Sequence, residues 1–591
     1  MVTNHKLRNK LQSYSELLVV VFVVVLANVL ANQYYKRFDL TAEKRYTLSA
    51  TSEKLCGQIK DRLYVKVYLD GEMSSKFKRF RNELRDLLYE FREASGQKID
   101  IDFTDPLEGK DNKEKSNILT QMEQRGLIPV RDFDREGIDE TSFKLVVPGA
   151  DVVYQGKEFS VNFFLFDVAK DPETNVNQAI QGLEYELANM VRRCIAGNPK
   201  KIIIADGSGE LDELQTADLS RELSQYYQVE RMNLNVADPE AARPFQLNLT
   251  SNPDSAGLVL LELMQRRLNG ADGLIIAKPR QDYTDAELYL IDQFIMKGGK
   301  VLWMVDPVSA EIDSLERNPS FLASNQNLDN ITAQLFEYGV SLNPNLLMDA
   351  TCNRIPTPRR EFFDWYYFPL FTSRNLDHPI VKNLGAVWSQ FPATLRAKSR
   401  PDIKITDLLV SSPYTKTVGV PATIDYVSTY MQSRDPKFRE TMNSGLQSCG
   451  VLLEGTFRSP FVFRRKLTSQ EFIKETNNSM IVIADGDIAR NGVMLRSGNP
   501  YPLGYDRFSR ITFSNKKFLM NCVDYLLDQN GLIEIRGKEL NVRLLDQTRI
   551  KDERAYWKWL NMLLPLLMIL IFGGVNWWIR RWKYTRTTKR S

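Results

Sequence analysis

Acidic residues follow three apolar runs that are typical of buried parallel strands. Asp206 follows KIIIA, Asp306 follows VLWMV, and Asp485-Gly486-Asp487 follows MIVIA. Because ligands of parallel α/β sheets bind beyond the carboxyl ends of the strands, we expect these four acids to share one functional edge, with Asn491 nearby. Such a cluster has the oxygen ligands to hold a cation or to accept hydrogen bonds from sugar hydroxyls. The alternative is that these acids cap helices and close turns, and the sequence leaves both interpretations open.

The turn after KIIIA is rich in glycine and carries five candidate ligand residues: Asp206, Gly207, Ser208, Gly209 and Glu210. Glycines let a ligand approach the backbone, and a helix after the turn would offer free N–H groups. A dinucleotide fingerprint is excluded because its third glycine is missing. The alternative interpretation is a tight turn between a strand and a helix, with Glu210 in the first helical turn.

Catalytic signatures are missing from the sequence. Gly298-Gly299-Lys300 lacks the upstream glycine and the following Ser/Thr of a phosphate-binding loop, and it enters a strand. There is no GxSxG elbow, and no cysteine lies at a sharp glycine-flanked turn. The chain has two histidines and five scattered cysteines without a CxxC pair, which argues against zinc, iron–sulfur and dithiol sites. We therefore predict no enzymatic activity, no cofactor and no metal; a hydrolase that uses the acidic edge is the less favoured alternative.

The charge distribution does not indicate nucleic-acid binding. The 591 residues carry a formal net charge of +4, and basic residues cluster only in the two tails. A nucleic-acid-binding domain usually presents a concentrated basic face. We therefore expect no nucleic-acid partner.

An apolar segment near each end predicts a membrane anchor. Leu17–Ala31 is uncharged and follows a basic tail, while Leu560–Ile579 has the length of a bilayer crossing and is flanked by tryptophans. A basic cluster follows the second segment: Arg580, Arg581, Lys583, Arg586, Lys589 and Arg590. Positive charge stays on the cytoplasmic side, so both termini are predicted to be cytoplasmic and the body extracytoplasmic. A cleaved signal peptide that ends near Ala31 is the alternative for the first segment.

Two α/β units are predicted between these segments. Residues 61–165 alternate strands and helices in the order β-α-β-α-β-β, with further strands expected at Phe143–Val147 and Glu158–Phe164, which is typical of a thioredoxin-like unit. From residue 200, apolar strands alternate with helices, and the helix from Thr284 begins with a capping box formed with Glu287. This pattern predicts a doubly wound parallel sheet, in which Gly450–Leu453 is a further buried strand.

Several motifs, in this order, give the chain a resemblance to a known family. They are RFDLTAEKRYTLS (37–49), ADGSGEL (205–211), ELYLIDQFIMKGGKVLWMVDP (287–307), IVIADGDIARN (481–491), NKKFLMNCVDYL (515–526) and IRGKEL (535–540). With the two flanking spans, the chain resembles the gliding-motility ABC-transporter accessory proteins of the GldG family. The chain departs from this family at Ser208, where members often have histidine.

The resemblance implies a fold, a role and a set of partners. The large domain would be related to flavodoxin-like and class I glutamine-amidotransferase-like folds, as in an intraflagellar transport protein. The chain would be the non-catalytic extracytoplasmic subunit that docks on a polytopic permease served by a cytoplasmic ATPase. It would lie at the bacterial inner membrane with its body in the periplasm, and this body would bind a substrate, a glycan or an envelope protein. An envelope scaffold or adhesion factor that needs no transport is the alternative.

The expected organisation has nine segments. They are a cytoplasmic basic tail (1–14), a transmembrane helix (15–34), a connector (35–60), the thioredoxin-like unit (61–170), a linking helix (171–199), the amidotransferase-like domain (200–530, with an insertion around 340–450 that forms long loops or a subdomain), a membrane-proximal segment (531–556), a second transmembrane helix (557–579) and a basic tail (580–591).

Overall fold

The computed structural model describes most of the body and parts of the terminal segments. The described residues are 17–26, 47–125, 127–134, 142–164, 172–195, 199–247, 253–311, 313, 318–359, 361–373, 378–382, 384–398, 400–464, 466–494, 498–527 and 553–585. The predictions for both basic tails and for the membrane-proximal segment therefore lie mostly outside the described residues, as does most of the RFDLTAEKRYTLS motif and all of IRGKEL.

The elements follow in chain order. The first half contains α1 (Leu17–Leu26), α2 (Ala50–Gly57), β1 (Leu63–Val67), α3 (Ser75–Ala94), β2 (Ile99–Phe103), α4 (Asn112–Gln124), β3 (Val130–Asp134), β4 (Ser142–Val146), β5 (Gly149–Tyr154), β6 (Lys157–Asn162), α5 (Pro172–Ile195), β7 (Lys201–Asp206), α6 (Ala217–Ser224), β8 (Gln228–Asn233), α7 (Pro239–Ala242), α8 (Pro253–Leu268), β9 (Gly273–Ala277), α9 (Asp285–Met296) and β10 (Lys300–Met304). The second half contains β11 (Val308–Ser309), β12 (Ser320–Asn325), α10 (Asp329–Tyr338), β13 (Val340–Leu342), β14 (Asn345–Asp349), β15 (Cys352–Pro356), β16 (Phe362–Phe371), β17 (Val387–Trp388), β18 (Leu395–Ala397), β19 (Ile403–Val410), β20 (Thr415–Gly419), β21 (Ala422–Asp425), α11 (Tyr426–Arg434), α12 (Pro436–Glu440), β22 (Ser448–Arg458), β23 (Glu475–Ile483), β24 (Tyr505–Asp506), β25 (Ile511–Thr512), α13 (Asn515–Leu527) and α14 (Arg554–Thr585).

The N-terminal unit has a four-stranded sheet in the order β2-β1-β5-β6. β1 is parallel to β2, and β5 is antiparallel to both β1 and β6. The apolar faces of α3 and α5 pack on this sheet, and the rings of Phe77, Phe80 and Phe164 meet in its core. The predicted helix-and-strand alternation is therefore present.

Two strands of this unit differ from the sequence prediction. The strand expected at Phe143–Val147 is β4, which pairs only with β3 in a separate hairpin. The central strand beside β1 is β5, which the prediction missed. β5 reads GADVVY and is buried at five of its six positions, so it has no clear polar alternation to mark it.

Five parallel strands form the centre of the large domain, in the order β8-β7-β9-β10-β23. Strand β8 was not predicted, because its sequence QVERMN is polar at an exposed edge. Helices cover both faces of the sheet. Ile203 and Ala205 lie in the core that includes α8 and α9, whereas Ile202 and Ile204 lie in the core that includes α6 and α13. Continuous apolar strands follow from this burial on both faces.

The sheet is mixed rather than wholly parallel, which corrects the sequence prediction. β22, which contains Gly450–Leu453, runs antiparallel to β23, and β19, β18 and β13 extend the sheet further through antiparallel pairs. An apolar run shows that a strand is buried on both faces but does not reveal its direction.

The stretch around 340–450, where the sequence predicts long loops or a subdomain, contains many strands. Some of them form small sheets in the orders β14-β20 and β15-β16-β17, and β21 pairs with β12, which precedes this stretch and also pairs with β11. Strands β13, β18 and β19 belong to the large sheet. An aromatic core that includes Trp365, Tyr366, Phe368 and Phe391 holds the small sheets together. Aromatic side chains bury large areas, so this stretch forms its own core.

Local signals in the sequence set several helix ends. The Ser49 hydroxyl accepts a hydrogen bond from the Ser52 N–H at the start of α2. The Thr284 N–H donates to Glu287 at 2.6 Å at the start of α9, as the capping box predicts.

The linking helix α5 is fixed to the large domain by Asp524, which accepts hydrogen bonds from the hydroxyls of Tyr185 and Tyr227, each at 2.6 Å.

One described helix is long and apolar enough to cross a membrane. Its candidate membrane span is Arg554–Trp582, and an 18-residue window within that span has a mean hydropathy of 2.0 and no buried residue. Trp578 and Trp582 stack at one end, and the Arg581 guanidinium lies over the Trp577 ring. The first predicted span is described only as α1, Leu17–Leu26, which is shorter than a bilayer crossing requires.

Candidate functional site

The carboxyl ends of the parallel strands bring three of the predicted acids together. Asp306 follows β10, and Asp485 and Asp487 follow β23; each offers a carboxylate oxygen, and these atoms all lie within 4.8 Å of one another. All three side chains are buried. Asp206 is not part of this group, because its carboxylate is half-exposed and pairs with the Arg231 guanidinium at 3.4 Å.

A lysine that the sequence analysis missed lies among these acids. Lys278 follows β9, and its ammonium nitrogen lies 2.5 Å from Asp487 Oδ2 and 3.1 Å from Asp306 Oδ2. The residue is only 4 % exposed, so it is a buried counter-ion for the two carboxylates. Its position directly after the apolar run LIIA is the signal that identifies it, because polar residues just beyond buried strands lie at this edge.

The backbone around Lys278 is tightly constrained. Lys278 has a φ of +55°, in the left-handed region that non-glycine residues rarely adopt. Gly486 approaches it so closely that a Cβ there would lie 2.4 Å from the Cβ of Lys278. The Gly486 N–H also donates to Asp306 Oδ1 at 2.6 Å. The turns after β9, β10 and β23 therefore hold one another in place.

Asp485 is the most deeply buried of the three acids and is fully engaged. It accepts hydrogen bonds from the Asp487 N–H at 2.7 Å, from the Gln390 N–H at 3.1 Å, and from the Ser389 hydroxyl. Burial raises the pKa of Asp485 well above its ordinary value, and the negative charges of Asp306 and Asp487 raise that pKa further. Burial also raises the pKa of Asp306, against the opposing effect of Lys278.

The charge of Lys278 is favoured by its neighbours. Burial alone would lower the pKa of its ammonium group, but the carboxylates of Asp487 and Asp306 outweigh this effect and raise the pKa. The lysine therefore carries its charge, which is the arrangement of a hydrogen-bonded buried ion cluster. A metal ion at the three carboxylates would have to compete with this ammonium group for the oxygens of Asp306 and Asp487.

The glycine-rich turn after β7 is closed by its own backbone. The Ser208 carbonyl accepts the N–H groups of Arg280 and Gln281 at 3.0 and 2.9 Å, and the Leu211 N–H donates to the Ala277 carbonyl at 2.9 Å. Gly207 has a φ of +108°, and a Cβ there would lie 2.0 Å from Asn233 Oδ1. These contacts link the turns after β7 and β9, at the point where the strand order changes direction and ligands of such sheets usually bind.

Glu210 and Asn491 stabilise the same region from inside. Buried Glu210 accepts hydrogen bonds from the Tyr283 hydroxyl and from the Ser208 N–H, both at 2.6 Å. Asn491 donates from its side chain to the Leu214 carbonyl at 2.9 Å and accepts from the Asp218 N–H at 3.2 Å. Gly209 also adopts a positive φ, of +74°, with Arg280 beside it. These residues have the contacts expected of a tight turn and its supports.

Comparison with known proteins gives a family for the large domain. Residues 199–522 match the family model described as ABC-type uncharacterized transport system, and residues 42–153 match a domain of unknown function (DUF7088). No curated protein matches the sequence. Among solved structures, the mmIFT52 N-terminal domain aligns with 13% sequence identity and a TM-score of 0.30, over 56% of this chain and 98% of that one. That TM-score is too low to establish a shared fold.

Replacing Lys278 with methionine tests its role as the counter-ion. Lys278→Met keeps most of the volume but leaves buried carboxylates unpaired, so the free energy of unfolding should fall by about 3–5 kcal/mol at neutral pH. The loss should be larger at pH 8 than at pH 5. Lys278 lowers the pKa of Asp306 and of Asp485, so its removal raises both pKa values further. A carboxyl whose folded-state pKa is raised stabilises the fold at low pH, and this contribution disappears as pH rises through that pKa.

The measurement is urea denaturation of the full chain in detergent at both pH values. Lys437→Met, at an exposed lysine of α12, is the matched control and should change the midpoint little. An equally small loss for both variants at both pH values would contradict the role of Lys278.

Proposed function

The chain belongs to the family described as ABC-type uncharacterized transport system, and we propose that it is a membrane-anchored accessory subunit of an ABC transport complex, without catalytic activity of its own. The family match is the observation that supports this proposal most strongly, because residues 199–522 include every strand of the mixed sheet. The arrangement of the acidic edge supports a non-catalytic role. Asp306 and Asp487 are buried and paired with Lys278, and Asp485 is buried and accepts hydrogen bonds from its neighbours, so each of these three carboxylates already has a partner within the chain.

Helix α14 supplies the anchor in this proposal. It is apolar over a length that crosses a bilayer, and its tryptophans and terminal arginines match the composition of a membrane interface. The basic residues after Trp578 favour a cytoplasmic C-terminus. A second crossing near the N-terminus, over residues 15–34, would place both termini in the cytoplasm and the body in the periplasm of a bacterial cell.

The closer relationship to GldG-type gliding-motility proteins extends this proposal. It is supported by the order of the sequence motifs and by the parallel strand order 2-1-3-4-5 of β7, β8, β9, β10 and β23, which is the flavodoxin-like order. The partners would be a separate polytopic permease and a separate cytoplasmic ATPase. The N-terminal four-stranded sheet would be the thioredoxin-like unit, used for binding rather than for redox chemistry.

The body would bind a transported substrate or an envelope partner, and this binding would shift the conformational equilibrium of the permease. Coupling requires that the ATP-driven states of the permease favour different poses of this subunit, because only differential binding shifts such an equilibrium. An envelope scaffold would need no such coupling, so its partners would not include an ATPase.

Co-purification tests membership of the complex. The protein is extracted from native membranes in mild detergent through a C-terminal tag, and the co-purifying chains are identified by mass spectrometry. We expect a permease and an ATPase in stoichiometric amounts. A variant in which α14 is replaced by an unrelated membrane helix should stay in the membrane but lose these partners. Recovery of the protein alone, or only with envelope proteins, would contradict the transport role and favour the scaffold.

Cysteine labelling tests the proposed topology. In a Cys352→Ser background the remaining native cysteines are buried, so added thiols dominate labelling by a membrane-impermeant maleimide. Lys437→Cys, on exposed α12, should react in intact spheroplasts. Ser591→Cys should react only after permeabilisation. The reverse pattern would place the body in the cytoplasm and contradict the topology.

A further inference from the structure

A small cleft opens beside the buried ion cluster, on the side of the turns that follow β9 and β10. Its volume is about 50 Å³, and one water needs about 10–15 Å³ of such space, so several waters or a small chemical group fit. The polar residues that line it are Lys278, Arg280, Asp306, Ser309, Glu311 and Gln326.

Glu311 places its carboxylate between the two cations of this cleft. One of its oxygens, Oε1, accepts both guanidinium hydrogen bonds from Arg280, at 2.9 Å from Nη2 and 3.2 Å from Nε. The same oxygen lies 3.9 Å from the Lys278 ammonium, which is too long for a hydrogen bond. The Glu311 side chain is 31 % exposed. Glu311 therefore binds Arg280 through a single oxygen and is partly exposed to solvent.

Arg280 is well placed to hold a carboxylate. Its N–H donates to the Ser208 carbonyl, and its carbonyl accepts a hydrogen bond from the Gln326 amide at 2.7 Å, so its backbone is fixed from both sides. Its side chain is 37 % exposed. Arginine binds carboxylates most favourably through two parallel hydrogen bonds to two oxygens. Glu311 does not use this geometry, so a free carboxylate has a better arrangement available.

The local charge balance decides how such a ligand would bind. Lys278, Arg280 and Arg490 face the carboxylates of Asp306, Asp487 and Glu311, and the Asp313 carboxylate pairs with Arg490 at 2.7 Å. These three cations thus already face four carboxylates, so none of the cations lacks a partner. A further anion beside Glu311 would add unbalanced negative charge, whereas exchange of one carboxylate for another leaves the balance unchanged.

We propose that this cleft binds the carboxylate group of a small ligand, and that the Glu311 side chain occupies the same position when the ligand is absent. Arg280 binds the ligand carboxylate and Lys278 supplies the second positive charge. Glu311 is thus an internal competitor that the ligand displaces. The inference concerns the cleft alone, so its outcome is separate from that of the co-purification experiment.

Acetate binding to the full chain in detergent tests the proposal. Removing the competitor with Glu311→Ala should increase the affinity for acetate by about tenfold, if Glu311 occupies the position nine-tenths of the time. Isothermal titration measures the affinity, with chloride at equal ionic strength as the reference. Glu311→Gln retains the shape without the charge and should also bind acetate more tightly than the wild type. Glu311→Gln provides the same test if the Glu311→Ala variant does not fold.

Loss of Arg280 is the decisive control. Arg280→Met combined with Glu311→Gln should abolish acetate binding, whereas Glu440→Ala, an exposed acid of α12, should leave the wild-type affinity unchanged. Equal acetate affinity in the wild type and both Glu311 variants would overturn the proposal, as would binding that survives loss of Arg280. N-acetylalanine and glucuronate, titrated in the same way, distinguish a peptide from an acidic sugar as the source. Failure of both larger probes to bind would also overturn it.

Discussion

A buried ammonium group has to be neutralised where it lies, and this requirement organises the acidic edge of the large domain. Lys278 brings its charge to the carboxyl ends of β9, β10 and β23, where Asp306 and Asp487 accept it. An unpaired buried ion costs several kcal/mol, so these side chains depend on one another. The strained backbone of Lys278, the close approach of Gly486 and the hydrogen bond from Gly486 to Asp306 are consequences of placing the three groups together.

This constraint separates the structural part of the edge from the part that is open to ligands. Backbone hydrogen bonds link the turns after β7 and β9, and Asp485 lies in the interior with its oxygens engaged. The cleft at Arg280 and Glu311 is partly exposed to solvent, and there a carboxylate is held by a single oxygen. This cleft is therefore the part of the edge for which we propose a ligand.

Strong local patterns made much of the fold predictable. Strands β7, β9, β10 and β23 are apolar runs with buried residues on both faces, and the capping box of α9 fixes its first turn. The direction of β22 was not predictable, because pairing direction depends on distant neighbours. Strand β8 was not predicted, because it lies at an edge of the sheet and its sequence is polar. In each case the missing information is tertiary rather than local.

The candidate site was predictable only in part, for the same reason. The positions of Asp306, Asp485 and Asp487 follow from the strand ends. The position of their partner Lys278 does not follow from the strand ends. A lysine after an apolar run is expected at the surface unless the positions of the neighbouring turns are known. Asp206 also lies at the end of a strand of this edge, but its carboxylate pairs with Arg231 on the adjacent strand β8. The sequence predicts which side chains lie at this edge of the sheet. Which of them form ion pairs depends on the positions of the neighbouring charged groups in the fold.

A double-mutant cycle between Lys278 and Asp487 measures this central interaction most directly. The free energy of unfolding is determined for the wild type, Lys278→Met, Asp487→Asn and the double variant, in urea at pH 7. If Lys278 is the counter-ion of the acidic edge, Lys278→Met leaves both Asp306 and Asp487 without a counter-ion, whereas the double variant leaves only Asp306 without one. A coupling energy of about 1–3 kcal/mol is then expected. Additivity of the two single effects within about 0.5 kcal/mol would contradict the account.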